Sequence, residues 1–499
     1  MSEASNKSWM DQVIKQDQID KYLKDGKDFI DEDEIVAQLK NNQNPSKEQI
    51  RDIIKKSLEI KRLTYDETAA LISVTDPELL EEMYEAAAEV KRRVYDNRIV
   101  FFAPLYCGSL CVNSCRYCGF RKENKEQVRK VLTDAEVKEE TKHIIDEGHK
   151  RVIVVYGEHP KTAVDYIAKS IQDVYSVKSK NKNGNYGNIR RVNINAAPMS
   201  IEDLAKLKKI GIGTFQVFQE TYHKPTYKEV HPKGLKANYR WRLYALHRAM
   251  DAGVDDVATG VLFGLYDWKF EVMGLMHHTV ALEERYGIGP HTISFPRLTL
   301  ASNSDLSSKS KYKVSDADFK KIVAILRLSV PYTGLIITAR ESQKVRDDVI
   351  KVGCTQLDAS TKIGVGAYSK KKDQELDKEQ FTICDSRSID DVVYYLASIG
   401  KITSFCTAGY RCGRTGDKIM TLLKSCTEGK FCKLNAVLTF REYLDDYASP
   451  KTKEIGEKLI QKEMAEIETM DFYKNHDNLL ETFHGYYKRI CAGERDIFI

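Results

Sequence analysis

No apolar run in this chain approaches the length of a membrane span, and the opening MSEASNKSWMDQ lacks the basic and apolar regions of a secretory leader. A membrane partner is therefore not expected, and the predicted location is the cytoplasm. An excess of either charge is missing too: 78 Lys and Arg stand against 73 Asp and Glu, a net charge of +5. That balance carries no electrostatic signature of a nucleic-acid partner. Glycine and proline are at ordinary levels. The 499 residues suffice for one barrel-sized domain with additions, or two to three smaller ones.

Cysteine is what the chain has in plenty. There are 11, many for a compartment that disfavours disulfides, and they cluster. Four lie between positions 107 and 118 and four between 406 and 432, while Cys354, Cys384 and Cys491 stand apart. Clustered cysteines in a reducing compartment point to metal. Cys111, Cys115 and Cys118 form a C-x3-C-x2-C spacing directly after the apolar run Ile99 to Leu105. Three thiolates hold three irons of a cubane cluster, which takes four cysteines when every iron is protein-bound. The fourth iron is then open to a small chelating ligand. A zinc ion or free structural thiols are the competing readings, though zinc prefers four tetrahedral ligands, usually as paired C-x2-C motifs or with histidines.

Residues 1–97 read as a polar helical extension, with a capping box at Thr75-Asp-Pro-Glu78 ahead of LLEEMYEAAAEVKRRVY. Residues 98–385 then alternate short apolar strands with amphipathic helices. The strands are predicted at Ile99 to Leu105, Val152 to Val155, Arg191 to Asn195, Thr214 to Phe218, Asp256 to Val261, Thr292 to Phe295, Leu335 to Thr338 and Thr355 to Leu357. Helix starts are marked at Thr133, Ser200, Ser315 and Ser388. This alternation predicts an α/β fold, a parallel (β/α)8 TIM-type barrel. The polar stretch Lys178 to Asn188 is expected to be a flexible inserted loop. Beyond about residue 400 the alternation is expected to stop, leaving residues 386–499 as a cysteine-rich, mainly helical C-terminal domain with a long helix from Thr452 to Met470. Chemistry in such a barrel sits at the carboxyl ends of the strands, where Glu158, Asn195, Glu220, Arg297 and Arg340 converge.

The strings CxYCGFR through the cysteines, FAPLY before them, then YGEHP, FQETYH, GVLFGLYDWKFEV, GPHTISFPR, VPYTG, SFCTA, GRTGDK and GKFCKLNAVLTFREYLDDYAS carry a resemblance. They match the radical SAM superfamily and, within it, the tyrosine lyases of [FeFe]-hydrogenase maturation, which are related to the 2-iminoacetate synthases of thiamin biosynthesis. The resemblance covers nearly all of the chain from residue 98 to about 449. It implies a radical SAM barrel with a C-terminal domain carrying a second iron-sulfur cluster. It also implies a [4Fe-4S] cluster on Cys111, Cys115 and Cys118 that reduces S-adenosyl-L-methionine (SAM) to a deoxyadenosyl radical. L-tyrosine, or another aromatic amino acid, is then cleaved to p-cresol and dehydroglycine, the latter becoming CO and cyanide. The implied partners are an electron donor such as ferredoxin or flavodoxin and hydrogenase-maturation proteins. By position, Glu158 resembles the residue that takes the methionyl amino group of SAM, Glu220 one that binds its ribose, and Tyr117 the aromatic residue of the cysteine motif. Arg340 resembles the partner of the substrate carboxylate. His278, in Met276-His-His-Thr279, resembles the histidine that reaches the labile iron.

The chain departs from that pattern in the tail. The family's C-x2-C-x22-C falls here on Cys406, Gly409 and Cys432, and glycine has no side chain to ligate with. A cluster on Cys406, Cys412 and Cys432, a zinc ion on four tail cysteines including Cys426, or no metal are the expectations. Other departures lie at Pro104-Leu-Tyr-Cys-Gly-Ser-Leu-Cys111, Thr338-Ala-Arg-Glu341 and Leu357-Asp-Ala-Ser-Thr-Lys362. Two alternatives follow: a lyase that stops at dehydroglycine or takes another aromatic amino acid, and a non-catalytic iron carrier. Retained SAM-binding residues speak against the carrier.

Overall fold

A computed structural model describes residues 3–370, 379–476 and 478–499. Its strands are β1 (Ile99–Gly108), β2 (Arg151–Tyr156), β3 (Lys178–Lys180), β4 (Tyr186–Asn188), β5 (Arg191–Asn195), β6 (Phe215–Gln216), β7 (Val257–Gly260), β8 (Thr292–Ser294), β9 (Gly334–Ile337), β10 (Gln356–Asp358) and β11 (Thr403–Ser404). The main sheet runs β10-β9-β8-β7-β6-β5-β2-β1-β11, and β10 pairs again with β1. That second pairing, Val100 with Gln356 through Phe102 with Asp358, closes eight parallel strands into a barrel. The predicted barrel is therefore present, with helices between its strands.

Three expectations are corrected. The polar stretch 178–188 is an antiparallel hairpin of β3 and β4 rather than a flexible loop. Gly184 turns it at φ 85°, Asn181 Oδ1 accepts from the backbone of Asn183 and Asn185 at 3.0 Å each, and Asn185 reaches Asp446 of the tail at 2.9 Å. Strand alternation does not stop at 400, because β11 adds to the free lower edge of β1 through Ile99 and Val100. The helix Pro77–Tyr95 is capped by Asp76, whose side chain accepts from Glu78 and Leu79, and not by Thr75. The remaining start signals hold, with Thr133, Ser200, Ser315 and Ser388 each accepting from the third residue on.

One apolar core runs through all parts of the chain, joining Leu71 and Val90 of the N-terminal helices, Phe101 and Leu335 of the barrel, and Leu438 and Ile460 of the tail. No helix among the described residues is long and apolar enough to cross a membrane. The helix Glu428–Asp446 lies against the barrel, and its Glu442 ties the two by accepting from Arg190 at 2.7 Å and pairing with Lys150 at 3.0 Å. Burial alone pushes the Glu442 carboxyl up, but the two cations outweigh it and hold the group down at about 2. Its contribution is present above the ordinary carboxyl range and is lost as the pH falls toward that value. Glu442→Ala removes the ion-pair partner of buried Lys150 and leaves Arg190 with Asp496 at 2.9 Å, and urea unfolding is expected to show a loss of about 3 kcal/mol.

Candidate active site

The upper end of β1 runs directly into the loop that carries Cys111, Cys115 and Cys118. That loop can sit on the end of β2 only because residue 157 is glycine. A methyl group there would stand 2.2 Å from the Leu110 carbonyl oxygen. Gly157 donates to Gly108, and Val112 donates to Glu158, each at 2.9 Å, so loop and strand end are laced together. Asn113 completes the lacing: its Nδ2 donates to Glu158 Oε2 at 2.5 Å and lies 3.6 Å from Cys111 Sγ, while its Oδ1 accepts from the Lys236 backbone at 2.9 Å.

Inside the barrel mouth the three cysteines, Tyr117, Glu158, Glu220 and Arg340 line one cavity of about 140 Å³. A second cavity of about 100 Å³ continues down the barrel, sharing Arg340, Phe218, Gln380 and Phe381 with the first. Phe102, Ile153 and Ile336 form its apolar wall, and Gln216, Ser294, Thr338 and Asp358 add polar groups. On the outer side the helix Glu3–Val13 lies over the mouth, with Trp9 and Val13 facing Tyr156, Gly157 and Pro198 across a groove.

Charges in the mouth are organised in pairs. Glu220 follows β6 at φ 72°, an uncommon conformation for a residue with a side chain, and is held there by Leu262 donating to its carbonyl at 2.9 Å. Burial acts against the Glu220 carboxylate, but Lys236 at 2.6 Å and Arg242 at 3.4 Å prevail and keep its pKa below the ordinary value. Both cations bind Oε1. The Glu158 carboxylate accepts from Asn113 and, among the described residues, pairs with no cation, and burial raises its pKa. Arg340 differs again: its guanidinium lies 3.2 Å from the Phe381 ring centroid, and among the described residues no acceptor takes a hydrogen bond from it. Burial lowers its pKa. Tyr117 donates to His231 Nε2 at 2.8 Å; the His231 Nδ1 hydrogen is committed to the Tyr227 carbonyl at 3.0 Å, which fixes this tautomer.

The donor set fits an iron-sulfur cluster. Burial pushes the Cys111 thiol up to about 11 and raises Cys115 as well, so thiolates here need a compensating metal. Side-chain amides already face the sulfurs, Asn113 at Cys111 and Gln380 at 3.5 Å from Cys118, as donors do around cluster thiolates. Among the described residues no three His, Cys, Asp or Glu side chains converge as they do around a single ion. Ligands of a cluster hold different irons rather than one ion.

At the opposite end of the barrel, Cys406 and Cys432 come together. Arg98, just before β1, donates to Cys406 Sγ at 3.4 Å, and Cys432 Sγ donates to Glu428 Oε1 at 3.2 Å. The neighbouring Cys432 side chain, then the charge of Arg98, hold the Cys406 pKa down against burial. Cys412 is not brought to this pair: it follows the four-residue helix Ala408–Arg411 and is exposed.

His278 is likewise placed elsewhere. It lines neither barrel cavity, but sits on the outer face of the helix Trp268–Tyr286, bonded to Tyr222 at 2.8 Å and packed on Phe29 and His247. The histidine that the fold carries toward the tail is His291, bonded to Tyr410 at 3.0 Å beside Asp256. Sequence reasoning also missed Asn113, Lys236, Arg242, Gln380 and Phe381. Asn113 lies inside the cysteine spacing and was open to notice; the others have no local signature.

Comparison with known proteins bears on this arrangement. Residues 105–276 match the radical SAM superfamily, and residues 294–402 match the biotin and thiamin synthesis associated domain. A crystal structure of HydG, a maturase of the [FeFe]-hydrogenase, is 44% identical, with a TM-score of 0.88 over 95% of this chain and 100% of that one. The chain belongs to the HydG family of radical SAM enzymes. HydG from Carboxydothermus hydrogenoformans is 35% identical, with a TM-score of 0.76 over 94% of this chain and 99% of that one. The 2-iminoacetate synthase of Escherichia coli is 29% identical over 70% of this chain and 88% of its own. As a member of this HydG family the protein is a radical SAM lyase, and its cofactors are a [4Fe-4S] cluster and SAM.

The loop that carries Glu220 has its own anchor. Glu271, wholly buried, accepts from the Thr221 hydroxyl and from the Tyr222 backbone at 2.8 Å. Burial raises its pKa from 4.5 to about 8. A raised carboxyl pKa means that the folded state holds a proton the unfolded chain releases, so this contribution is full below the ordinary range and is lost as the pH rises to about 8. Thermal unfolding of the native chain across that window is expected to lose stability relative to Glu271→Gln, on the order of a few kcal/mol.

Proposed function

We propose that the protein cleaves L-tyrosine between its α and β carbons to p-cresol and dehydroglycine, and carries the latter to CO and cyanide for [FeFe]-hydrogenase maturation. The observation that carries the reading is Arg340: a half-buried guanidinium that, among the described residues, finds no hydrogen-bond acceptor, at the junction between the cysteine mouth and an apolar chamber lower in the barrel. A planar fork in such a place calls for a carboxylate ligand. An aromatic amino acid supplies one, and its ring fits against Phe102, Ile153 and Ile336. Thr338 Oγ1, buried and without a partner, offers a phenol hydroxyl the hydrogen bond that phenylalanine cannot use.

When bound at Cys111, Cys115 and Cys118, the cluster and SAM supply one-electron chemistry that yields a carbon radical for hydrogen abstraction. The chain's own residues hold and orient. Glu158 takes the ammonium of the methionyl group. Glu220, with both cations on Oε1, presents Oε2 to a ribose hydroxyl. Tyr117, fixed by His231, packs on the mouth, and the helix Glu3–Val13 limits water. A ferredoxin or flavodoxin is the proposed reductant, and hydrogenase-maturation proteins are the proposed recipients.

Anaerobic reconstitution with iron, sulfide, SAM, reductant and tyrosine tests this, with 5'-deoxyadenosine, p-cresol, CO and cyanide measured. All four are expected to depend on tyrosine, and deoxyadenosine that does not respond to tyrosine sinks the reading. Gly409 favours one second reading, a 2-iminoacetate synthase-like lyase that stops at dehydroglycine; p-cresol without CO identifies it. Arg340→Ala removes a charge-assisted pair of about 1.5–3 kcal/mol, so the KM for tyrosine is expected to rise about ten- to hundred-fold.

A further inference from the structure

Gly409 occupies the position where the family spacing places the middle tail cysteine. A methyl group added to it would meet Glu428 Oε1 at 3.1 Å, so the Glu428 carboxylate stands where a longer side chain at 409 would reach. Glu428 begins the helix that carries Cys432 four residues later, and that spacing puts both groups on one helix face. The two are already in contact, Cys432 Sγ donating to Glu428 Oε1 at 3.2 Å, and Cys432 lies beside Cys406.

Glu428 is 1% exposed, and its carboxylate is paired with Arg414, whose Nε lies 3.1 Å from Oε2 and donates to Oε1 at 3.3 Å. That pairing holds the carboxylate beside Cys432 and against the open place at Gly409. The surroundings suit an anionic cluster: Arg98 donates to the Cys406 sulfur and Arg414 neighbours the carboxylate. Cys412, exposed on its short helix, offers no comparable approach.

We infer that Cys406, Cys432 and Glu428 hold an iron-sulfur cluster in the tail, the Glu428 carboxylate taking the coordination place that Gly409 leaves open. This rests on reading the tail as an iron-sulfur site, and its experiment reads iron rather than products. Oxygen is a harder donor than thiolate, so the iron held by Glu428 is the one most readily exchanged.

A full-length Cys111→Ala, Cys115→Ala, Cys118→Ala chain isolates the tail. It is reconstituted anaerobically with ferrous iron and sulfide, then examined for iron per chain and for EPR after reduction. The parent is expected to bind a cluster. Glu428→Gln keeps the shape and removes the anionic donor, and is expected to lose most of that iron while its far-UV circular dichroism stays unchanged. Gly409→Cys added to Glu428→Gln is expected to restore the iron, with an EPR spectrum shifted from the parent's by all-thiolate ligation. Glu428→Cys, which supplies a third thiolate directly, covers the case in which the glutamine variant misfolds. Full iron and an unchanged spectrum in Glu428→Gln overturn the ligand set alone. A parent without tail iron overturns the tail cluster altogether, and leaves tyrosine cleavage to be judged from p-cresol on the intact chain.

Discussion

The whole arrangement depends on one strand being hydrogen-bonded to three others. β1 pairs with β2 along its upper half, with β10 through Val100 to Phe102, and with β11 at its lower end. All ten of its residues are buried. Closing the barrel, presenting the cysteine loop and attaching the tail are thus one act of pairing. Arg98 precedes the strand and reaches Cys406, while Cys111 follows its other end. At about 3.3 Å per residue, the strand sets these two regions on the order of 30 Å apart. The separation between them is a matter of register and not of domain orientation.

Several buried charges inside this frame are matched by opposite charges. Glu442 is matched by Lys150 and Arg190, Glu220 by Lys236 and Arg242, and Lys433 by Glu463 at 2.6 Å. The exposed pairs on the N-terminal helices, such as Lys47 with Glu78 and Arg51 with Glu82, are screened by solvent and add little. Those helices are held by their buried faces, where Ile50, Leu71 and Leu79 each contribute roughly 1.5–3 kcal/mol. Arg340 differs from these pairs: among the described residues no acceptor takes a hydrogen bond from it, and the Phe381 ring lies against its guanidinium.

Much of this was legible in the sequence because it is local. A strand followed by three cysteines at fixed spacing, helix caps three residues from their acceptors and apolar runs of strand length all show within a short window. What escaped depends on distant contacts. The hairpin at 178–188 exists because Asn183 and Asn185 find the tail, and β11 because β1 has a free lower edge. His278 and His291 look alike as isolated histidines; only topology turns one outward onto Phe29 and the other toward Tyr410. Cys412 is equally persuasive on spacing and is set aside by its exposure.

Gly157 carries a last consequence. The three cysteines are the visible signature of the loop, yet the loop reaches its seat only because the Leu110 carbonyl fits into the space of a missing methyl group. The motif thus has a negative element as well as positive ones. A diverged copy could preserve every ligand and still be a pseudoenzyme through one added carbon atom, and a genome survey that counts cysteines alone would score it as active.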